Sequence, residues 1–282
     1  MSQTNVTKTA IIEKAKELGA ELVGFAPAGR WQEYGEVPED YHPRNVWPLT
    51  NTVISLAVPV WLPIVETAPS ELGREQYITT NQLLDITAYR LAAFLNRNGH
   101  AAISLPRDGY GDAGALADKP VALFSHVWAA YYAGLGKVGW NHTLLTKAYG
   151  PRQRLVSVFT ALELEGDPMI TTDLCTKCLL CQKICPGRAF HGGKDIPYAE
   201  MDKFACMANS KRFRTAYRNP CGFCIKVCPV GEDRKLFGST NLNKYFDEAA
   251  VLAKDPRAKE YRDWVHIRRH GGYPLPEDPK LD

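Results

Sequence analysis

All eight cysteines of the 282-residue chain lie between Cys175 and Cys228, and no other feature restricts the fold as strongly. A disulfide framework is typical of small secreted chains, whereas clustered cysteines in a reducing compartment more often bind metal. The first four follow the pattern C-x2-C-x2-C-x3-C-P, which is the spacing of bacterial [4Fe–4S] ligands. A second run, C-x2-C-x3-C-P, follows with one further cysteine upstream of it. The eight residues therefore divide into two sets of four.

In two-cluster ferredoxins the last cysteine of a run serves the other cluster. We therefore predict two [4Fe–4S] clusters with crossed ligands, held roughly 10–12 Å apart. Structural zinc bound by paired C-x2-C hooks is the alternative, but zinc needs neither a third cysteine in the hook nor a proline after the fourth. The predicted ligands are Cys175, Cys178, Cys181 and Cys228 for the first set, and Cys185, Cys206, Cys221 and Cys224 for the second set.

Composition and charge exclude several other classes of protein. The chain has 34 Lys and Arg against 31 Asp and Glu, and a net charge of +3 does not indicate nucleic-acid binding from bulk charge. Its longest apolar run, residues 53–65, is too short to cross a bilayer and contains two prolines. The N-terminus has neither a hydrophobic signal core nor twin arginines. We expect a cytoplasmic protein that does not bind membranes.

Hydrophobic patterning predicts a sheet domain before the cysteines. Helices are predicted over residues 10–19, 81–100 and 118–136, and strands over 21–26, 53–60, 101–106, 142–146 and 154–164. This alternation indicates an α/β or α+β sheet. The predicted domains are 1–168, the sheet domain; 169–238, the cysteine domain; and 239–282, a short helix and a tail.

Several short motifs in the second half of the predicted sheet domain resemble those of the epoxyqueuosine reductase and reductive dehalogenase superfamily. They are AGLG (133–136), GWNHTLL (139–145), YGPR (149–152) and VFT (158–160). The resemblance implies an α+β fold, in which a nitroreductase-like sheet-and-helix domain precedes a two-cluster bacterial ferredoxin-like domain. It also implies base-off cobalamin in the first domain, reduced by the nearer cluster.

The catalytic candidates precede these motifs and the cofactor-binding candidates lie within them, and structural alternatives exist for both groups. The catalytic candidates could donate a proton or line a planar cofactor, but core packing explains the same residue types. The cofactor candidates could bring backbone amides and small polar groups to a nucleotide tail, but a helix end and a turn also use them. The catalytic candidates are Asp118, His126, Tyr131 and Tyr132; the cofactor candidates are Gly134, Gly136, Gly139, Asn141, His142 and Thr143.

The sequence departs from the family in two places. The acidic DTGP-like element of epoxyqueuosine reductases is absent, since the matching region reads ADKPVALFSHVW, although Asp118 lies nearby. The helical-repeat domain that those enzymes use on tRNA is also not seen after Cys228. We therefore expect tRNA to be an unlikely substrate.

Two function hypotheses follow. The first is a reductase that passes electrons from reduced ferredoxin or flavodoxin through the clusters to cobalamin or to a small-molecule substrate. The second is an electron-transfer or activator protein that reduces a partner such as a corrinoid protein. Between two cluster ligands lies SKRFRTAYR, residues 210–218, which could dock an acidic donor or be a solvated helix face. Arg152 and Arg154 on a predicted strand leave a similar choice between pairing with anions and facing solvent.

Overall fold

The computed structural model describes residues 5–108, 119, 121–276 and 278. Within them the chain forms two compact units. The first contains Met1–Pro59, Thr80–Val138 and Gln153–Leu174, and the second contains Val60–Thr79, Gly139–Arg152 and Cys175–Asp282. The predicted mixture of helices and sheet is confirmed, while the predicted domain boundaries stay a prediction.

The first unit is built on a four-stranded antiparallel sheet with the strand order β1-β2-β6-β3. In the central pairs, Phe25 of β1 lies opposite Ile54 of β2, and Ile54 lies opposite Val158 of β6. The strands in the part of the chain that the structure describes are β1 Leu22–Pro27, β2 Thr52–Pro59, β3 Ala102–Ser104, β4 Lys137–Val138, β5 Leu144–Leu145, β6 Gln153–Thr160, β7 Phe190–His191 and β8 Glu200–Met201.

Both faces of this sheet are covered, which explains why every residue of β2 is buried. Ile54 and Leu56 pack with residues of two helices on one face, and Leu91 is among them. Val53 and Phe159 pack on the other face with an aromatic cluster that contains Trp31. Alternation of side chains along a strand sends neighbours to opposite faces. The continuous apolar run therefore reflects two cores rather than a membrane segment.

The helices of the chain differ from the predictions at their ends. The helix predicted over 81–100 begins at Glu71. The one predicted over 118–136 begins at His126 because the Ser125 hydroxyl accepts a hydrogen bond from the Trp128 amide and caps it. The helices of the described residues are Lys8–Glu17, Arg30–Glu33, Pro43–Val46, Leu62–Thr67, Glu71–Arg97, His126–Tyr132, Leu180–Lys183, Lys203–Thr215, Phe223–Lys226, Asp233–Leu236, Lys244–Lys254 and Arg262–His270, with a 3-10 turn at Glu39–Tyr41. None in the described part of the chain is long and apolar enough to span a bilayer.

The second unit consists of short helices and loops around the cysteines. Strands β7 and β8 pair antiparallel, with Phe190 opposite Met201. The region after residue 239 is more regular than predicted, because it forms two helices whose aromatic residues are buried. Tyr261 and Trp264 pack with Val227, which lies one residue before the last cysteine. The two helices, Lys244–Lys254 and Arg262–His270, are therefore part of the core of this unit.

Candidate functional site

Two short cysteine-bearing segments of the second unit have the same local structure. Cys178, Cys181 and Cys185 each have a counterpart 43 residues later, and a proline follows the last cysteine in both segments. Leu179 and Gly222 occupy equivalent positions, and both have left-handed backbones, with φ of 60° and 69°. Each begins a four-residue helix, Leu180–Lys183 or Phe223–Lys226. A positive φ is unusual for leucine, so the repeated conformation indicates a shared requirement on the cysteine side chains. The sequence analysis found the second cysteine run but not its constant offset from the first, and the shared backbone conformation is visible only in the structure.

A cavity in the second unit is lined by the four cysteines predicted as the first set. Trp140 and Asn141 also line it. Trp140 is fully buried, and its indole nitrogen donates to the Gly193 carbonyl at 3.0 Å. Asn141 is thus the one predicted cofactor residue that borders the cysteine cavity among the described residues. The cysteines that line it are Cys175, Cys178, Cys181 and Cys228.

Two thiols of the first set, Cys181 and Cys228, have raised pKa values. Burial raises the pKa of Cys181 to about 12, and the neighbouring thiols of Cys178, Cys228 and Cys175 add to the rise. Burial also raises the pKa of Cys228 to about 11, with a contribution from Cys175 and Cys178. Charge coupling of this kind falls off with distance. The four side chains therefore form one electrostatic group.

The second set behaves in the same way. Burial raises the pKa of Cys221 to about 11, and Cys185 and Cys206 add to it. Burial raises the pKa of Cys206, with Cys185 again contributing. The pKa of Cys224 is raised well above its ordinary value by burial, then by the other three thiols of this set and by Cys181 of the first. The two sets therefore adjoin where Cys181 and Cys224 lie.

Two hydrogen bonds to sulfur support the second set. The Ala189 amide donates to the Cys185 Sγ at 3.4 Å, and the Asn209 side-chain amide donates to the Cys221 Sγ at 3.3 Å. Donors of this kind favour a thiolate over a thiol and tune the potential of iron–sulfur clusters. They would stabilise negative charge on the two sulfurs.

The thiols of the eight cysteines are chemically suited to bind a metal, but in this structure they are too far apart to do so. All eight are unpaired, without a disulfide. Among the described residues, no three His, Cys, Asp or Glu side chains are drawn together closely enough to hold a metal ion. Cluster binding would require the thiols of each set to converge. The pKa values of five of them, Cys181, Cys206, Cys221, Cys224 and Cys228, are raised, so binding at these thiols would also displace protons.

A buried ion pair holds the chain around the last cysteine. Arg152 is fully buried and makes two hydrogen bonds of 2.6 Å with Asp233. Its guanidinium also donates to the carbonyls of Cys228 and Val230, at 3.3 and 2.6 Å. The sequence left two roles open for Arg152, pairing with an anion or facing solvent. The structure shows the first, because Arg152 pairs with Asp233. Arg234 donates to the Cys228 carbonyl as well, at 2.6 Å.

A buried lysine lies between Cys224 and Cys228. The Lys226 ammonium donates to the Ala68 carbonyl at 2.7 Å, and the Trp264 ring centroid lies 4.8 Å away. Burial lowers its pKa well below the ordinary value. Nothing in the sequence pattern pointed to a buried cation there, because Ala68 and Trp264 are far away along the chain.

The predicted cofactor residues form two backbone turns, one in each unit. Gly134, with φ of 73°, ends the helix His126–Tyr132: its amide donates to the Tyr131 carbonyl, and the Leu135 amide donates to the Ala130 carbonyl. This is the Schellman arrangement. Gly136 follows it and is buried.

The second turn joins Gly139 to Thr143 by a backbone hydrogen bond of 2.8 Å. Asn141 accepts a 2.7 Å bond from the Thr143 hydroxyl, and the His142 ring donates to the Ala199 carbonyl at 2.7 Å. The polar groups of this turn are engaged with the protein itself. Their assignment to a cofactor stays a prediction.

Among the catalytic candidates, His126 has both ring nitrogens engaged in hydrogen bonds. Its Nε2 donates to the Pro106 carbonyl at 2.9 Å, so the Ser157 hydroxyl must donate to Nδ1, also at 2.9 Å. Burial lowers the pKa of His126 to about 4. A neutral ring whose two nitrogens both form hydrogen bonds is expected if His126 has a structural role rather than a catalytic one.

The tyrosines are likewise packed. Tyr132 is fully buried, donates from its hydroxyl to Glu36 at 2.9 Å, and meets Trp31 edge-on with ring centroids 4.8 Å apart. Tyr131 is half-buried, and burial raises its pKa. Asp118 lies outside the described residues. The catalytic assignments therefore stay predictions.

No family model matches the chain, but several known proteins are similar to it. It is 28% identical over 181 residues to the tetrachloroethene reductive dehalogenase of Dehalobacter restrictus, covering 58% of this chain and 30% of that protein. It is 26% identical over 266 residues to the epoxyqueuosine reductase of Gloeobacter violaceus, covering 86% and 74%. The chain is a relative of both reductase families. Its superfamily resemblance is confirmed, although it spans less than a third of the dehalogenase.

Solved structures agree on the fold. A catabolic reductive dehalogenase in complex with 3-bromo-4-hydroxybenzoic acid aligns with a TM-score of 0.62 and 23% identity, over 90% of this chain and 37% of that one. The epoxyqueuosine reductase of Streptococcus thermophilus aligns with a TM-score of 0.53 and 19% identity, over 79% and 65%. Another epoxyqueuosine reductase, with a TM-score of 0.51, was solved with a tRNA stem loop. The expectation that tRNA is an unlikely substrate does not fit that relative.

Proposed function

We propose that this protein is an iron–sulfur reductase that carries electrons through two [4Fe–4S] clusters to an acceptor. The observation that carries the proposal is the repeated segment, in which the same left-handed residue, short helix and Cys-Pro ending recur 43 residues apart. Structural zinc does not require that frame. The relatives of the chain are reductases, which supports the same class of activity.

The cluster ligands in this proposal are the two sets named above. Bound clusters would supply one-electron transfer over a span that the adjoining residues Cys181 and Cys224 keep short. The protein's own contribution is to hold the sulfurs. Asn209 and the Ala189 amide donate to them, and Arg152 fixes the backbone at Cys228.

The proposed acceptor is cobalamin or a small-molecule substrate, and the proposed donor is reduced ferredoxin or flavodoxin. Support for cobalamin comes from a structural neighbour whose description refers to B12-dependent dehalogenation. Within this chain, the turn from Gly139 to Thr143 borders the cysteine cavity through Asn141. A group bound at that turn would lie beside the first set.

An electron-transfer or activator protein is the second candidate, and one observation favours it. In two of the catalytic candidates, His126 and Tyr132, the polar atoms of the side chain form hydrogen bonds within the protein. A carrier that reduces a partner such as a corrinoid protein would not need them for proton transfer.

Two measurements test these functions. Anaerobic reconstitution followed by iron and sulfide analysis should give about eight iron atoms per chain, as two cubane clusters require; zinc, or far less iron, contradicts the cluster proposal. Titration with cobalamin, followed by the visible spectrum, should then saturate at one equivalent. Absence of binding would leave the carrier as the better description.

A further inference from the structure

The helix Lys203–Thr215, called the basic helix below, exposes uncompensated positive charge. Lys203, Lys211 and Arg214 are exposed, and in the described part of the chain none of the three forms an ion pair with a carboxylate. Phe204, beside them, leaves 56% of its surface exposed. Aromatic residues and arginine are enriched at protein interfaces, and lysines around them steer oppositely charged partners.

The same helix forms a wall of the second cysteine set. It carries Cys206, and its Asn209 donates to the Cys221 sulfur at 3.3 Å. A side chain at Gly187 would lie only 3.1 Å from the Ala205 carbonyl oxygen, so the turn that follows Cys185 packs directly on the helix. One side of the basic helix therefore contacts the candidate ligands while the other is exposed.

The charge extends over that turn. Lys183 and Arg188 are exposed on either side of Cys185, and the Arg188 amide donates to the Cys185 carbonyl at 3.1 Å. Residues 183–188 and 202–215 together contain six Lys and Arg but one acidic residue, Asp202. The whole chain has a net charge of only +3. Positive charge is thus concentrated around the second set.

We propose that the exposed face of the basic helix is the docking surface for an acidic one-electron carrier protein of the flavodoxin type, which reduces the second set first. The proposal rests on the proposed clusters. Each encounter would oxidise the carrier by one electron and reduce one cluster by one electron, with no proton exchanged between the proteins. A nucleic acid also favours basic surfaces, but the charge here adjoins the candidate redox ligands, where an electron has to enter.

The experiment uses the anaerobically reconstituted full-length protein and reduced flavodoxin, with cluster reduction followed by stopped-flow absorbance. The test variant is Lys211→Glu with Arg214→Glu, and the control is Lys254→Glu with Lys259→Glu, which changes the net charge equally at two exposed lysines. Dithionite serves as the small reductant. Since surface charge acts mainly on association rates, the test variant should slow reduction by flavodoxin about tenfold at low salt.

We expect wild type and control to lose rate as salt rises, and the test variant to be nearly insensitive to it. Dithionite should reduce all three at one rate. Equal flavodoxin rates in the test and control variants would overturn the docking proposal while leaving the clusters in place. An unmodified tRNA stem loop that binds wild type and control but not the test variant would make the helix a nucleic-acid surface and would also overturn the docking proposal. A wild type that binds no iron or sulfide would instead remove the proposed function, and the docking site with it.

Discussion

Arg152 illustrates what one residue does for the candidate site. Its five N–H donors are directed at Asp233 and at backbone carbonyls around Cys228, and none of the side chain is exposed. A buried cation without its carboxylate is costly, since the desolvation of the charge is no longer compensated. The pair therefore ties the position of the last cysteine to the folding of this unit.

Removing the carboxylate should expose that dependence. Asp233→Ala is expected to lower the free energy of unfolding by about 3–5 kcal/mol because the Arg152 charge stays buried. The neighbouring exposed pair of Lys147 and Glu232, 3.6 Å apart, provides the control. Glu232→Ala should cost at most about 1 kcal/mol. Urea denaturation of the cluster-free proteins measures both, and equal losses would mean that Arg152 is not held by Asp233.

A separate prediction concerns the contribution of His126 to stability at low pH. Its pKa of about 4 in the folded chain lies below the ordinary 6.5, so the folded ring stays neutral where the unfolded one is protonated. The stability that it contributes is therefore complete above pH 6.5 and is lost as the pH falls from 6.5 to about 4. The difference corresponds to roughly 3 kcal/mol.

The variant His126→Gln keeps a donor for Pro106 and an acceptor for Ser157 but has no titrating ring. Between pH 7 and pH 4, its stability should fall less steeply than that of wild type in thermal unfolding. His191→Gln, at an exposed histidine, is the matched control and should follow the wild type. Identical slopes in wild type and His126→Gln would show that this ring is not the group that titrates.

At the scale of an element, the end of the helix His126–Tyr132 depends on one glycine. Gly134 has a left-handed backbone, and a Cβ there would collide with the Pro168 carbonyl oxygen. The glycine that the family resemblance assigned to a cofactor is thus required by the turn itself. Its presence is no evidence for a ligand.

Gly134→Ala should therefore lower stability by about 2 kcal/mol or more, combining the left-handed backbone and the collision. Gly35→Ala is the control, because a Cβ there meets nothing within 4 Å. Its effect should stay within about 0.5 kcal/mol. Denaturation midpoints of both variants measure the effect, and a Gly134→Ala variant as stable as wild type would show that the turn does not require glycine.

Elements were predictable where the signal is local and not where it comes from packing. The apolar spacing of Leu84, Ala88 and Leu91 predicted a helix, and the spacing of the cysteines predicted their grouping. Sequence alone did not show that the helix starts ten residues earlier, nor that Arg152 is buried, because both depend on partners distant along the chain. For His126 the sequence offered a proton donor or a structural residue, and only its contacts with Pro106 and Ser157 distinguish the two.

For the whole molecule, an iron count on the wild-type protein does not distinguish crossed ligand sets from sets in which each run binds its own cluster. If the sets are as proposed, Cys228 belongs with Cys175 rather than with its near neighbour Cys224. Cys175→Ala and Cys228→Ala should then each lose about four iron atoms, and the double variant should lose no more than either single one.

Cys206→Ala combined with Cys228→Ala is the matched comparison, since these two residues belong to different sets. That double variant should lose both clusters, seen in iron analysis and in the reduced electron paramagnetic resonance spectrum. If Cys228→Ala adds to the loss caused by Cys175→Ala but not to that caused by Cys206→Ala, the crossed assignment is wrong and each run serves its own cluster.

The contacts of Arg152 and Lys226 also limit how this protein can be divided. A fragment cut at residue 169 would contain all eight cysteines but neither Arg152 nor Ala68, and so would leave Asp233 and the Lys226 ammonium without the partners they have here. The cysteine segment is therefore not expected to keep its structure when it is separated from the rest of the chain. Grafting it onto another scaffold would require carrying over residues 60–79 and 139–152 as well, which are remote in the sequence but part of the same folded unit.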